Sequence, residues 1–151
     1  RYSNEDEDDN EDEDDNEDED DNEDDRSSAL HVCLDEFEID PWEIAEFCEL
    51  HDYRVCFDTS HSKLACTHHH WSFSEFVATV GPHVGHLHLG DASGVDGEGL
   101  QILDGEIDWP MLSRELRSSA PDASFIPEIW QGHKNGGEGF WRALELLEEY
   151  F

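Results

Sequence analysis

Three short apolar runs in this chain end in residues that bind metal ions or move protons. Arg54-Val55-Cys56-Phe57 leads into Asp58-Thr59-Ser60-His61, Val84-Gly85-His86-Leu87 into His88-Leu89-Gly90-Asp91, and Ser124-Phe125-Ile126-Pro127 into Glu128. Carboxylates and an imidazole brought together make a donor set for a divalent cation. A carboxylate beside such a cation can also move a proton. These groups are far apart in sequence, so a fold must converge them. A parallel α/β sheet does this, because the carboxyl ends of its strands all open onto one face.

The pattern along the chain supports such a sheet. His31–Leu34 reads as a strand, Pro41–Leu50 as a helix opened by its proline, and Arg54–Phe57 as a second strand. A stretch through His68-His69-His70 has no assigned element. A helix over Ser72–Val80 follows, with Phe73, Phe76, Val77 and Val80 at helical spacing, and Gly81-Pro82 ends it before the strand Val84–Leu89. A glycine-rich loop, a helix from about Trp109 to Arg117, the strand Ser124–Ile129 and a helix Phe140–Tyr150 complete the series. Four β-α units in a row predict a parallel sheet with helical crossovers. They amount to half of an eight-unit barrel, which takes about 250 residues. A flavodoxin-like sheet would gather its ligand groups at one switch point, so ligands on three successive strands favour the barrel.

Composition divides the chain at residue 26. Residues 1–26 hold 18 of the 41 acidic residues in a six-residue repeat marked by Asn4, Asn10, Asn16 and Asn22, against only Arg1 and Arg26. A segment with no apolar residue after Tyr2 cannot offset the entropy of ordering itself, so 1–26 is expected to be a disordered acidic tail. The domain, residues 27–151, carries the other 23 acids against six bases, spread along its length. No basic footprint for nucleic acid exists. No run reaches the roughly 18–20 apolar residues of a membrane helix. Cys33, Cys48, Cys56 and Cys66 form no CxxC pair and read as buried free thiols, which implies a reducing, cytoplasmic setting. The chain begins with Arg, and it is expected to be part of a longer product.

The ordered set D-T-S-H, H-L-H-L-G-D, G-E-I-D-W and P-E-I resembles the C-terminal half of the xylose-isomerase-like sugar phosphate isomerase/epimerase superfamily. More narrowly, G-V-D-G-E-G-L-Q-I and F-I-P-E-I-W-Q-G-H-K-N-G-G-E-G-F-W are similar to a barrel domain attached to N-acetylneuraminate synthase-like proteins. The resemblance implies a divalent metal held by Glu, Asp, His and Glu from four strands. Asp58, His88 and Glu128 match three of these ligands, and Glu36, or its neighbour Asp35, matches the first Glu. It further implies Glu128 and Glu36 as acid/base pair and His61 as a substrate contact. The expected activity is isomerisation or epimerisation of a sugar, sugar phosphate or sugar acid through an enediolate, linked to sialic-acid-like sugar synthesis. The donor chemistry suits Mn²⁺, Mg²⁺, Co²⁺ or Zn²⁺. Leu103-Asp104-Gly105 stands where relatives have a G-x-G turn.

Other residues support this set or have plainer roles. His86 points to the same face as His88 and is expected to support it, and Asp91 to orient His88 or contact substrate. His133 and Lys134, with the amides around Gly136-Gly137, suit a phosphate or carboxylate. Asp58 also fits a cap after its strand, His88 a packed histidine, and His68–His70 a solvated cluster. With only half the strands, the expected alternative is a non-catalytic partial barrel. Its unpaired edges would support a homodimer, or docking on a partner enzyme or on a missing half barrel.

Overall fold

Alternating side chains along Arg54–Asp58 and Val84–Leu89 form two strands of one parallel sheet in the computed structural model, which describes residues 29–30 and 40–151. In chain order the elements are β1 (Ala29–Leu30), α1 (Pro41–His51), β2 (Arg54–Asp58), α2 (Thr59–His69), α3 (Phe73–Val80), β3 (Val84–Leu89), β4 (Asp91–Ser93), β5 (Gly97–Leu100), α4 (Trp109–Ser119), β6 (Ser124–Pro127) and α5 (Lys134–Leu147), with a 3₁₀ turn Gly81–His83 ahead of β3. The sheet runs β1-β2-β3-β6, every neighbour parallel. Successive units thus lie side by side, as staves of a barrel do. The fold is α/β, a partial TIM-barrel-like unit.

The expected strand His31–Leu34, the ligand candidates Glu36 and Asp35, Cys33 and the acidic tail all lie outside the described residues. β1 is Ala29–Leu30 and pairs through Ala29 with Arg54 and Leu30 with Val55.

The two sheet faces divide by residue type. Val55 and Phe57 of β2 and Leu87 and Leu89 of β3 point toward the helices, where they meet Ile44, Cys48, Phe76, Val77, Val80, Leu112 and Leu116 in one core. Burying each large apolar side chain there contributes about 1.5–3 kcal/mol. The opposite face carries Cys56, Asp58, His86 and His88, because side chains alternate along a strand.

Local chemistry sets the helix starts. Asp40 Oδ1 accepts from the N–H groups of Trp42 and Glu43, each at 2.9 Å, while Pro41 supplies a first residue that needs no hydrogen bond. Ser72 caps α3 and Asp108 caps α4 in the same manner. Two elements depart from the sequence expectation. The stretch after Asp58 is the helix α2, and the glycine-rich loop contains an antiparallel hairpin, β4 with β5. α2 escapes periodicity because half of its buried residues, Thr59, Ser60 and Ser62, are small and polar.

Candidate functional site

Asp58, His88 and Glu128 converge at the carboxyl ends of three neighbouring strands. Asp58 pairs in register with His88, and His88 with Ile126, two residues short of Glu128. One ligand atom from each of the three falls within 4.8 Å of the others. His88 Nδ1 lies 2.5 Å from Glu128 Oε2.

The backbone around them is held tightly. Thr59 Oγ1 donates to the carbonyl of Gly90 at 2.7 Å and accepts from the Gly90 N–H at 3.1 Å, which ties the end of β2 to the end of β3. The Glu128 N–H donates to the Leu89 carbonyl at 2.8 Å, extending the β3–β6 ladder to the acidic residue. A Cβ at Gly90 would come within 2.5 Å of the Glu128 carbonyl oxygen, so only glycine permits this approach.

Asp58 does two things at once. Its Oδ1 accepts from the His61 N–H at 2.9 Å, the N-cap of α2, and its Oδ2 lies 2.8 Å from His61 Nδ1. The cap and the site role are therefore compatible. Burial works against the charged carboxylate, yet the hydrogen bonds and charge of His61 outweigh it and hold the Asp58 pKa below the usual carboxylate range. His61 responds in kind. Its hydrogen bond to Asp58, aided by Glu98, outweighs burial and pushes the imidazole pKa up to about 9. Glu128 shifts the other way from Asp58, raised by burial and then by the Asp58 charge, with His88 opposing.

A cleft of about 500 Å³ opens beside these groups, and its walls include Asp58, His61, Glu98, Glu128, Trp130, His133 and Lys134. Glu98 was not singled out from the sequence. It arrives from β5 and puts Oε2 3.2 Å from His61 Nε2. β5 is itself fixed over the site, since the Gly99 N–H donates to Ser60 Oγ at 2.8 Å and the Trp130 N–H donates to the Gly99 carbonyl at 2.7 Å. Trp130 stands at the rim, 71% exposed. No signal in a single sequence pairs a residue of a glycine-rich loop with a histidine 37 positions earlier.

The remaining candidates occupy different places. His133 and Lys134 line the cleft's outer end, where Lys134 Nζ donates to Gln131 Oε1 at 2.8 Å. Asn135, Gly136 and Gly137 that follow are all left-handed, so the regular part of α5 begins only at Glu138. His86 faces the site side of the sheet with Nδ1 2.8 Å from Ser124 Oγ, one step farther from the strand ends than His88. Asp91 does not reach the cleft. It is fully buried, and its two oxygens accept from Ala92 N, Leu103 N, Ile107 N and Trp109 Nε1 at 2.8–3.1 Å. The physical reason is direction: one residue past Gly90 the chain has turned into β4, and the Asp91 carboxylate points into the loop that returns as Leu103–Trp109. His68 and His69 sit in the last turn of α2, His69 stacked on Trp71, and His70 is its left-handed C-cap, outside both metal-spaced groups found among the described residues.

A family model described as a xylose isomerase-like TIM barrel matches residues 27–150. The chain belongs to that family. Membership agrees with the parallel sheet and with the order of the units. No curated protein matches the chain. No described helix is long and apolar enough to cross a membrane.

Proposed function

We propose that this chain provides the metal-binding and proton-transferring side of an isomerase or epimerase pocket for a sugar, sugar phosphate or sugar acid. The observation that carries the reading is the convergence of Asp58, His88 and Glu128 within 4.8 Å at adjacent strand ends of a xylose isomerase-like barrel. Two carboxylates and one imidazole at this spacing fit Mn²⁺, Mg²⁺ or Co²⁺, and Zn²⁺ is also compatible. Asp58, His88 and Glu128 would hold the ion, with Glu36 or Asp35 as the fourth ligand. When bound, the ion supplies Lewis-acid stabilisation of negative charge developing on the substrate's carbonyl and hydroxyl oxygens.

The chain's own residues carry the proton. Glu128 reaches the cleft from the end of β6 beside Asp58 and His88, where its carboxylate can take a proton and return it. It removes the proton from carbon next to the carbonyl and gives it back to the neighbouring carbon or oxygen. Glu36, or Asp35, would be the second acid/base group in epimerisation. His61 is steered by Asp58, and a substrate oxygen replaces Glu98, the more exposed of its two partners. Trp130 offers a flat apolar face to the sugar ring at the rim. Lys134 and His133, with the left-handed turn at Asn135–Gly137, suit a phosphate or carboxylate at the far end. The narrower likeness to the barrel attached to N-acetylneuraminate synthase-like proteins directs the substrate search to sugar acids and their precursors.

The test is solvent exchange. With Mn²⁺ present and a panel of ketoses, sugar phosphates and sugar acids in D₂O, deuterium should enter at the carbon beside the carbonyl, followed by NMR. Glu128→Gln should slow exchange by about 10²–10⁴-fold with an unchanged far-UV spectrum. Undiminished exchange in that variant would remove Glu128 from the mechanism, and no exchange with any member of the panel would overturn the reading.

A further inference from the structure

Cys56 stands two residues before Asp58 on β2, and His86 two before His88 on β3. The two-residue period of a strand therefore turns both to the face that carries the carboxylate site, one step closer to the amino ends. The register pairs Cys56 directly with His86, as it pairs Asp58 with His88. One ligand atom from each of Cys56, His86 and His88 lies within 4.8 Å of the other two. The Cys56 thiol is 6% exposed and lies on the face of the sheet opposite the helix-side cluster that Cys48 and Cys66 help to fill. The His86 and His88 rings meet edge to face with centroids 5.3 Å apart.

We propose that Cys56, His86 and His88 form a second metal site, selective for a thiophilic cation of the zinc class, lying below the carboxylate site and sharing His88 with it. The donor sets differ in kind. A thiolate with two imidazoles is soft and nitrogen-rich, the type that zinc accepts in tetrahedral geometry, whereas Mg²⁺ and Mn²⁺ favour the oxygens above. Three protein ligands leave a fourth position for water. His86 already has the outer contact that ligating histidines use: its Nδ1 lies 2.8 Å from Ser124 Oγ, and donation to that hydroxyl presents Nε2 as the ligand nitrogen. Binding replaces the Cys56 S–H proton by the ion, and the proton leaves to solvent. Because both sets draw on His88, occupancy below and above is coupled. The site goes beyond the proposed isomerase and does not depend on turnover.

Cobalt(II) titration of the whole chain, read by absorbance, tests the site. With Mg²⁺ in excess to compete for the oxygen-rich site, a thiolate-to-cobalt charge-transfer band should grow to saturation and vanish on addition of Zn²⁺. Cys56→Ser should abolish the band and weaken Zn²⁺ binding by about tenfold or more, and His86→Ala should weaken it comparably, each with an unchanged far-UV spectrum. Cys33→Ser and Glu128→Gln should leave the band intact. Absence of the band in the parent chain would overturn the proposal, as would its persistence in Cys56→Ser or its loss in Cys33→Ser. Loss of solvent exchange in Glu128→Gln with the band retained separates this site from the catalytic reading.

Discussion

Removing the Asp91 carboxylate should be among the most damaging single changes in the domain, although Asp91 touches no part of the cleft. The side chain is fully buried and accepts four N–H groups, from Ala92, Leu103, Ile107 and the Trp109 indole. A hydrogen bond to a charged group contributes about 1.5–3 kcal/mol, and a buried donor left without a partner costs about 1–3 kcal/mol. The four bonds share one carboxylate and are not additive, so Asp91→Ala is assigned roughly 4 kcal/mol, against a total stability of about 5–15 kcal/mol. An unfolding entropy near 2.1 cal/mol/K per residue over roughly 110 residues turns this into a drop in Tm of about 17 °C. Asp91→Asn keeps the shape but sets an amide NH₂ against N–H donors, and should cost at least about 2 kcal/mol. Asp104→Ala, an exposed aspartate in the same loop, is the control and should stay within about 0.5 kcal/mol. Thermal melts followed by circular dichroism measure all three. An Asp91→Ala protein melting within about 4 °C of the parent would refute the view that this carboxylate organises the loop.

Three further outcomes follow from the same geometry. Leu103 has φ of 73°, a left-handed conformation unfavourable for a branched side chain, and it is 49% exposed, so Leu103→Gly should raise stability by up to about 1 kcal/mol in urea unfolding. Burial pushes the Cys66 thiol up to about 12, so native Cys66 should resist alkylation at pH 8 and react only on unfolding, as mass-spectrometric mapping would reveal. In the metal-free protein the His61 pKa is raised from its ordinary 6.5 to about 9 by Asp58 and Glu98. Its stabilisation is thus fully present below about pH 6.5 and lost as pH rises through 9; urea midpoints should fall across that window, and fall less in His61→Asn.

The sequence carried the parts of this fold that rest on local pattern. β2, β3, α1, α3 and α4 follow from period-two or period-3.6 apolar spacing and from Pro, Gly and Asp at their ends, and the structure has all five. The carboxyl-end positions of Asp58, His88 and Glu128 follow from the strands themselves. What escaped depends on partners distant in sequence. α2 is held by a cap and by small polar residues that pack beneath β4 and β5, which leaves no amphipathic stripe to read. The β4–β5 hairpin has glycines at its turn and in β5, and its strand β5 is held at Gly99 by Ser60 and Trp130. Asp91 looked like a site residue because it follows a histidine-bearing strand, and its four donors, three of them 12–18 residues away, could not be inferred from that. Cys56 was on the right face by alternation, but buried thiols are so common that burial alone concealed its neighbours.

Thr59, bonded through its hydroxyl to both the N–H and the carbonyl of Gly90, fixes the gap between Asp58 and His88 as a property of the folded chain. An ion bound there, as proposed, would meet a gauge already set. The entropy of bringing two ligands together is charged to folding, so little of the binding energy is spent on assembly. Ions would then be sorted by how well their radius matches a fixed span, instead of by how far the strands move to meet them. Selectivity at the proposed metal site would in that sense be a mechanical property of a threonine that is not among its ligands.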